Sequence, residues 1–356
     1  MRRIDISTID HITKDYPQNL FKGCSRVPKK ASAPSDELRD LINDPTIYQP
    51  YADYVQYIWN HYEHILLLKP DEFKTYAESF VDRNNNKINI DVSTYNWKKW
   101  NKDEKKIKFY EAVIEAMRYE HVRSSKNAYL KYFDKLGIKT CVYCNASYIM
   151  NVNTKKRTKS GKVNTVELKG RFELDHFLPK SKYPFLCTSF YNLIPCCPCC
   201  NRWKSDSENE DKNNDDQSST FSLYTNKKED LNPFTFYLTP YSILKYSLAH
   251  NVDDLKIKIS SPNDRKLKFN HEKLFHIEDL YEHFKDEAEN IIWLYLSRNN
   301  DYLKQAFIAF NRVFSNEKIL RIMYNLYKGE ENIHKKPLSK MKMDILNQLK
   351  LLDSFK

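Results

Sequence analysis

Apolar residues recur at intervals of three and four along most of this chain, and the stretch where that rhythm breaks holds its candidate chemistry. Between residues 51 and 68, Tyr54, Ile58, Tyr62, Ile65 and Leu66 fall on one stripe of a helix. Helical periodicity begins near Ser35, just after Pro34. Residues 103–122 and 124–136 predict two more helices, the second closed by Gly137. Residues 1–34 carry scattered Pro, Ser and Lys and predict irregular or partly extended chain. After Gly137 the period shortens. Between Ile138 and Asn192 short β-type runs appear, with a Ser160-Gly161 turn between basic arms. Residues 205–216 hold six acids, one lysine and no apolar residue, and predict a solvated linking loop. Asn232-Pro233-Phe234 marks a turn. Amphipathic helices are then expected over 276–297, 301–315 and 317–328, with Gly329 ending the third and Pro337-Leu338-Ser339-Lys340 opening a last one.

These patterns predict an α+β protein, mostly helical, divided into four regions. Residues 1–136 form an N-terminal helical region, 137–206 a central core, 207–230 a polar acidic loop and 231–356 a C-terminal helical region. The chain has 356 residues, 41% hydrophobic and 29% charged, which is enough for a sizeable buried core. No run approaches the roughly 18 uncharged apolar residues that span a bilayer. Basic residues at the start have no apolar stretch behind them, so no secretory signal is expected. The expectation is a cytoplasmic protein without a membrane partner. Aromatics make up 14% of the chain, and at helical spacing they are assigned to packing. His61 and His64 share a helix face with no carboxylate or cysteine companion and are read as surface or packing residues.

Charge narrows the choice of partner. The net charge is +11, and between Leu136 and Lys204 twelve Lys and Arg face only three acids. That concentration favours a phosphate-bearing partner over general solubility. Lys180, Lys182, Arg202 and Lys204 are the candidate phosphate contacts. Lys155, Lys156 and Arg157 belong to a basic hairpin tip that could grip a nucleic-acid backbone without reading sequence.

Cysteine spacing points to a metal. Of eight cysteines, Cys141-Val142-Tyr143-Cys144 and Cys197-Pro198-Cys199-Cys200 form two C-x-x-C pairs. Each pair can grip one edge of a tetrahedral Zn²⁺ from a tight turn. Cys196 with Cys199 is a competing register. Cys197 with Cys200 is preferred because the residues after Cys200 read as a helix start. Four thiolates leave no open position, so this zinc is structural and any chemistry lies elsewhere.

Between the pairs stand Asp175-His176-Phe177-Leu178-Pro179, then Asn192-Leu193-Ile194-Pro195, then Cys200-Asn201-Arg202-Trp203-Lys204. In that order, with the cysteine pairs on either side, they resemble the HNH endonuclease family over roughly residues 138–206. The resemblance implies a ββα-metal core and a role for each matching residue. His176 would be the general base, Asp175 and Asn201 ligands of a catalytic metal, and Asn192 the residue that holds the loop and orients the base. An Asn at the third position makes this an H-N-N variant, similar to the HNH domains of CRISPR effector nucleases. Oxygen-only ligands suit Mg²⁺ or Mn²⁺. Glu173 shares the face of Asp175 and is left outside the ligand set. DNA is the favoured substrate. RNA with the same machinery and a non-catalytic zinc module are the alternatives. The flanking sequence is also similar to nuclease subunits of anti-phage systems such as Septu and some retrons, which implies an SMC-like ATPase partner.

Overall fold

The computed structural model of the protein describes residues 1–20, 33–89, 91–100, 106–124, 128–157, 163–210, 220–297, 305, 308–309 and 313–349. Its N-terminal residues depart at once from the irregular chain expected of them. A short strand β1 (Ile4–Asp5) leads into helix α1 (Ile6–Thr13). Asp5 caps α1 by accepting the Ser7 amide at 2.9 Å, satisfying one of the free donors of the first turn. Only Ile6, Ile9 and Thr13 of α1 are buried, so the helix shows a narrow apolar stripe that scattered polar residues hide.

Helices α2 (Pro34–Ile42), α3 (Gln49–Leu66) and α4 (Phe73–Ala77) follow. Tyr54, Ile58, Tyr62, Ile65 and Leu66 of α3 are buried, as their spacing implies. The helix expected over 103–122 is three elements instead. Strand β3 (Lys106–Lys108) pairs antiparallel with β2 (Lys98–Trp100), and helices α5 (Phe109–Ala116) and α6 (Tyr119–Ser124) are parted at Arg118. Arg118 holds a left-handed φ of 60°, which breaks the helical ladder and turns Tyr119 in a new direction. Helix α7 (Tyr129–Leu136) ends at Gly137, at φ 67°, where a side chain would be strained.

The middle of the chain is a set of hairpins. Strands β4 (Met150–Arg157) and β5 (Val163–Arg171) form a long antiparallel pair. The Ser160-Gly161 turn lies outside the described residues. Strand β6 (Glu173–His176) pairs antiparallel with β7 (Leu193–Cys196), in register Asp175 to Ile194 and His176 to Leu193. Helix α8 (Pro198–Glu210) follows directly. It runs through the first half of the polar stretch expected to be a loop. That stretch carries no apolar residue, so hydrophobic periodicity leaves no trace of the helix. Strand β8 (Tyr224–Thr225) then pairs in parallel with β1.

The C-terminal region is not purely helical. Strands β9 (Thr235–Leu238) and β10 (Ile257–Ser260) pair antiparallel around α9 (Pro240–Ala249). Helices α10 (Arg265–Phe275), α11 (Ile277–Glu282) and α12 (Lys285–Ser297) come next, the expected single helix over 276–297 being split in two. Most of 298–312 lies outside the described residues. Helix α13 (Asn316–Met323) stops short of its expected end, and α14 (Ser339–Gln348) closes the fold. The class is mixed, of α+β type, with five separate two-stranded sheets among the described residues. No helix is long and apolar enough to cross a membrane.

One continuous apolar cluster runs from Ile6 of α1 through α3, α5 and β7 to Leu346 of α14. Two buried histidines stitch its ends together. His271 Nε2 meets the Tyr143 carbonyl at 2.9 Å, and His334 Nε2 meets the Arg2 carbonyl at 2.8 Å. Each nitrogen facing a carbonyl must carry the proton, so both rings are neutral donors. Burial is the main cause that lowers His271 to about 3 and His334 to about 4. Below the ordinary value near 6.5 the unfolded chain takes up protons that these rings refuse. Their contribution to stability is therefore complete above pH 6.5 and lost as pH falls towards 4. Urea midpoints measured from pH 7 to pH 4 should drop steadily, and the drop should be smaller in His334→Gln.

Candidate metal centre and the strand–helix site beside it

The first cysteine pair sits in a tight turn. Cys141 N bonds Ser147 O at 2.9 Å, and Asn145 N bonds Cys141 O at 2.8 Å. Asn145, at φ 52°, ends the turn in the left-handed region that Asn tolerates. Its buried amide donates to Thr140 Oγ1 and to the Ile333 carbonyl, and its Oδ1 accepts from Lys340 N at 2.9 Å. His271 and Tyr281 take the carbonyls of Tyr143 and Cys144, the latter at 2.8 Å. The turn is thus held by α10, α11 and the chain entering α14.

The second pair lies at the start of α8. The helix begins at Pro198, where a missing amide donor costs nothing, so Cys200 is inside the first turn and not ahead of it as expected. Cys141, Cys144, Cys197 and Cys200 are all buried, and their four sulfurs lie within 4.8 Å of one another. Cys196 and Cys199 are outside the cluster: Cys196 is buried towards Glu173 O, and Cys199 is exposed. Hydrogen bonding from Cys141 lowers the thiols of Cys144 and Cys197, while burial raises Cys141. Four thiols this close cannot all ionise without a cation among them. In donor type, count and spacing the cluster is compatible with a zinc site.

Strand β6 presents Glu173 and Asp175 on one side and His176 on the other. Asp175 Oδ2 accepts from Lys204 Nζ at 2.7 Å and from the Tyr143 hydroxyl. The Lys204 ammonium also donates to the His176 carbonyl at 2.6 Å. Lys204, expected on phosphate, is 5% exposed and turned inward. Three residues past Asn201 on α8, it points back along the helix onto β6. Burial, then the Asp175 charge, raise the Tyr143 phenol, so it stays a donor.

Asn201 pairs with Glu173, its Nδ2 on Oε2 at 2.6 Å. Glu173 therefore joins the group from which it was left out. The period-two alternation already puts it on the face of Asp175, but spacing along the strand carries no trace of its meeting with Asn201 on α8. Tyr143 had a weaker signal, its position within the first C-x-x-C.

His176 is 6% exposed, with Nε2 at 3.0 Å from the Cys187 carbonyl. Burial, then Lys180, lower its pKa to about 4. The ring is neutral at physiological pH, with its proton on Nε2 and a lone pair on Nδ1. Asn192 is fully buried. Its Oδ1 accepts from Leu178 N at 2.8 Å, and its Nδ2 donates to the carbonyls of Leu178 and Leu186 at 3.2 and 3.0 Å. It closes the loop that carries Lys180, Lys182 and the His176 partner Cys187. Lys180 and Lys182 are half-buried, and Arg202 and Lys155 are exposed. The side chains of Lys156 and Arg157 lie outside the described residues.

Comparison with protein-family models, with curated proteins and with solved structures finds no match.

Removing Lys204 leaves a buried carboxylate with one neutral partner. Lys204→Met should cost about 3 kcal/mol of unfolding free energy. Asn192→Ala strands buried backbone groups and should cost about 2 kcal/mol. Denaturant titration checks both. A loss under about 0.5 kcal/mol for Lys204→Met, the usual range for surface changes, would refute the pinning role.

Proposed function

We propose that the protein is a metal-dependent endonuclease of HNH type that hydrolyses phosphodiester bonds of DNA. One observation carries the reading. A neutral histidine with an unprotonated Nδ1 sits at the end of a strand whose other face presents two carboxylates, Glu173 and Asp175, to a helix bearing Asn201. Strand, strand and helix follow in the order β6, β7, α8, which supports the ββα-metal reading.

In this mechanism His176 takes a proton from the attacking water at Nδ1, while the Cys187 carbonyl fixes its tautomer. Asn192 keeps that carbonyl in place through the loop. Glu173, Asp175 and Asn201 supply only oxygen ligands, which suit Mg²⁺ or Mn²⁺. The ion would stabilise charge developing on the phosphate and the leaving oxygen. For Asn201 to contribute, its amide must turn so that the oxygen, not the nitrogen, faces the carboxylates. The four cysteines hold a structural Zn²⁺ and set the distance between the first turn and α8. The biological setting we propose is anti-phage defence beside an SMC-like ATPase, a reading supported by sequence resemblance alone.

A second reading has its own support. Asp175 spends one oxygen on Lys204 and Tyr143, which suits a structural pin as well as a metal ligand. The protein would then be a zinc-containing module that binds nucleic acid or a partner without cutting.

Cleavage separates the two. Plasmid DNA should be cut with Mg²⁺ or Mn²⁺ and not with EDTA, and His176→Ala should slow cutting by at least about 100-fold. Equal rates in the two proteins would overturn the catalytic reading. Parallel tests on single-stranded DNA and RNA define the substrate. Metal analysis should find about one zinc per chain. Cys141→Ser should lose it, and Cys196→Ser should keep it.

A further inference from the structure

The corner between α5 and α6 reaches the candidate site from more than fifty residues away. Tyr119, at the start of α6, is 3% exposed. Its hydroxyl donates to the Leu174 carbonyl of β6 at 3.4 Å. Its ring centroid lies 4.9 Å from that of His176, tilted by 50°. The Lys180 ammonium stands over the same ring, 4.4 Å from its centre. One aromatic side chain thus touches the strand that carries the site, the proposed base, and a cation four residues beyond that base.

Lys180 is the unusual member. It is half-buried, and burial lowers its pKa. Among the described residues no carboxylate lies within ion-pair distance of it. The acidic group nearest in effect is the Cys187 thiol, which burial keeps protonated, and the carboxylate next in effect, Glu120, is engaged at 3.6 Å by Arg123. An ammonium removed from water normally finds an anion. This one has only a π face, which offsets part of its desolvation and leaves its three donors without an acid. Arg123 and Lys180 outnumber Glu120 here, so the local charge is positive. A phosphate oxygen would supply the missing anion within reach of His176.

We infer that Lys180 is the phosphate-binding cation of the site and that Tyr119 is the positioning residue that holds it beside His176. The N-terminal helical region therefore completes the site rather than only flanking it. The buried ring carries the ammonium at a fixed height, and its hydroxyl, at 3.4 Å from the Leu174 carbonyl, is too far to be what holds it there. The inference rests on the nuclease reading, because it assigns the phosphate to the same site.

The test reads binding instead of cleavage. A fluorescent duplex oligonucleotide is titrated with the full chain in EDTA, across a series of salt concentrations. Lys180→Met should weaken binding about tenfold at low salt and reduce the salt slope by about one. Tyr119→Phe keeps the ring and should bind like the unaltered chain. Tyr119→Leu removes the ring and should match Lys180→Met, and the double variant Tyr119→Leu with Lys180→Met should be no weaker than either single. Thermal denaturation confirms that each variant is folded. Should Tyr119→Leu fail to fold, Lys180→Met and Tyr119→Phe still decide the matter. An unchanged affinity and slope in Lys180→Met overturns the phosphate seat while leaving the nuclease reading to the His176→Ala cleavage result. A Tyr119→Phe protein as weak as Lys180→Met overturns the positioning role. No binding by the unaltered chain at low salt overturns the seat and the nuclease reading together.

Discussion

Four sulfur atoms from two turns, with 52 residues between the turns, converge within 4.8 Å. Everything near the candidate site depends on that convergence. The cysteines close a loop containing β4, β5, β6 and β7, and so fix where α8 starts relative to the first turn. Four thiolates at this separation would repel one another, and either a bound cation or protonation of some of the thiols relieves the repulsion. The rest of the fold supports the same point. His271, Tyr281 and the chain at Leu338 and Lys340 all bond to the backbone or side chain of residues 143–145. The C-terminal helices are therefore braces of the first cysteine turn and not appendages to it.

A second constraint is electrostatic. Lys204 and Asp175 form an ion pair with both side chains about nine-tenths buried. Such a pair contributes little net stability, because desolvation offsets most of the attraction. Its value is geometric. The ammonium ties α8 to β6 at two points, the Asp175 carboxylate and the His176 carbonyl. Tyr143 adds the cysteine turn to the same carboxylate. One acid thereby connects strand, helix and cysteine cluster. The arrangement sets two demands against each other, since a carboxylate used as a pin is less free to hold a second ion. In the proposed nuclease reading, Glu173, two residues back on the strand, and Asn201 on α8, bonded to each other, would ease that conflict by offering further oxygens.

Legibility in the sequence followed the kind of signal each element leaves. Helix α3 was clear because its buried residues repeat with a single period. Gly137 was clear because its backbone conformation disfavours any side chain. Helix α8 was read too short because its later residues, Ser205 to Glu210, include no apolar residue whose spacing could reveal a helix. Strand β10 buries Ile257 and Ile259 in alternation, a period-two pattern that was present but lost among neighbouring helices. The break at Arg118 left no signal at all. A positive φ at an arginine is imposed by the packing on either side of it. Lys204 was read as a surface charge because a lysine near basic neighbours looks the same in sequence whether its ammonium faces solvent or a buried acid.

The sequence by itself determined the two cysteine pairs, the mixed α+β class and the order of candidate residues from Asp175 to Asn201. These are local patterns, each set by spacing within one turn, one strand or one helix. Which side chains meet was decided by the tertiary structure. Glu173 reaches Asn201, Tyr143 reaches Asp175, and Tyr119 reaches His176 across 28, 32 and 57 positions. The physical reason is that hydrogen bonds and ring contacts act over a few ångströms of space and carry no trace of separation along the chain. Only the folded backbone, with its cysteine cluster and its buried ion pair, brings those partners within that range.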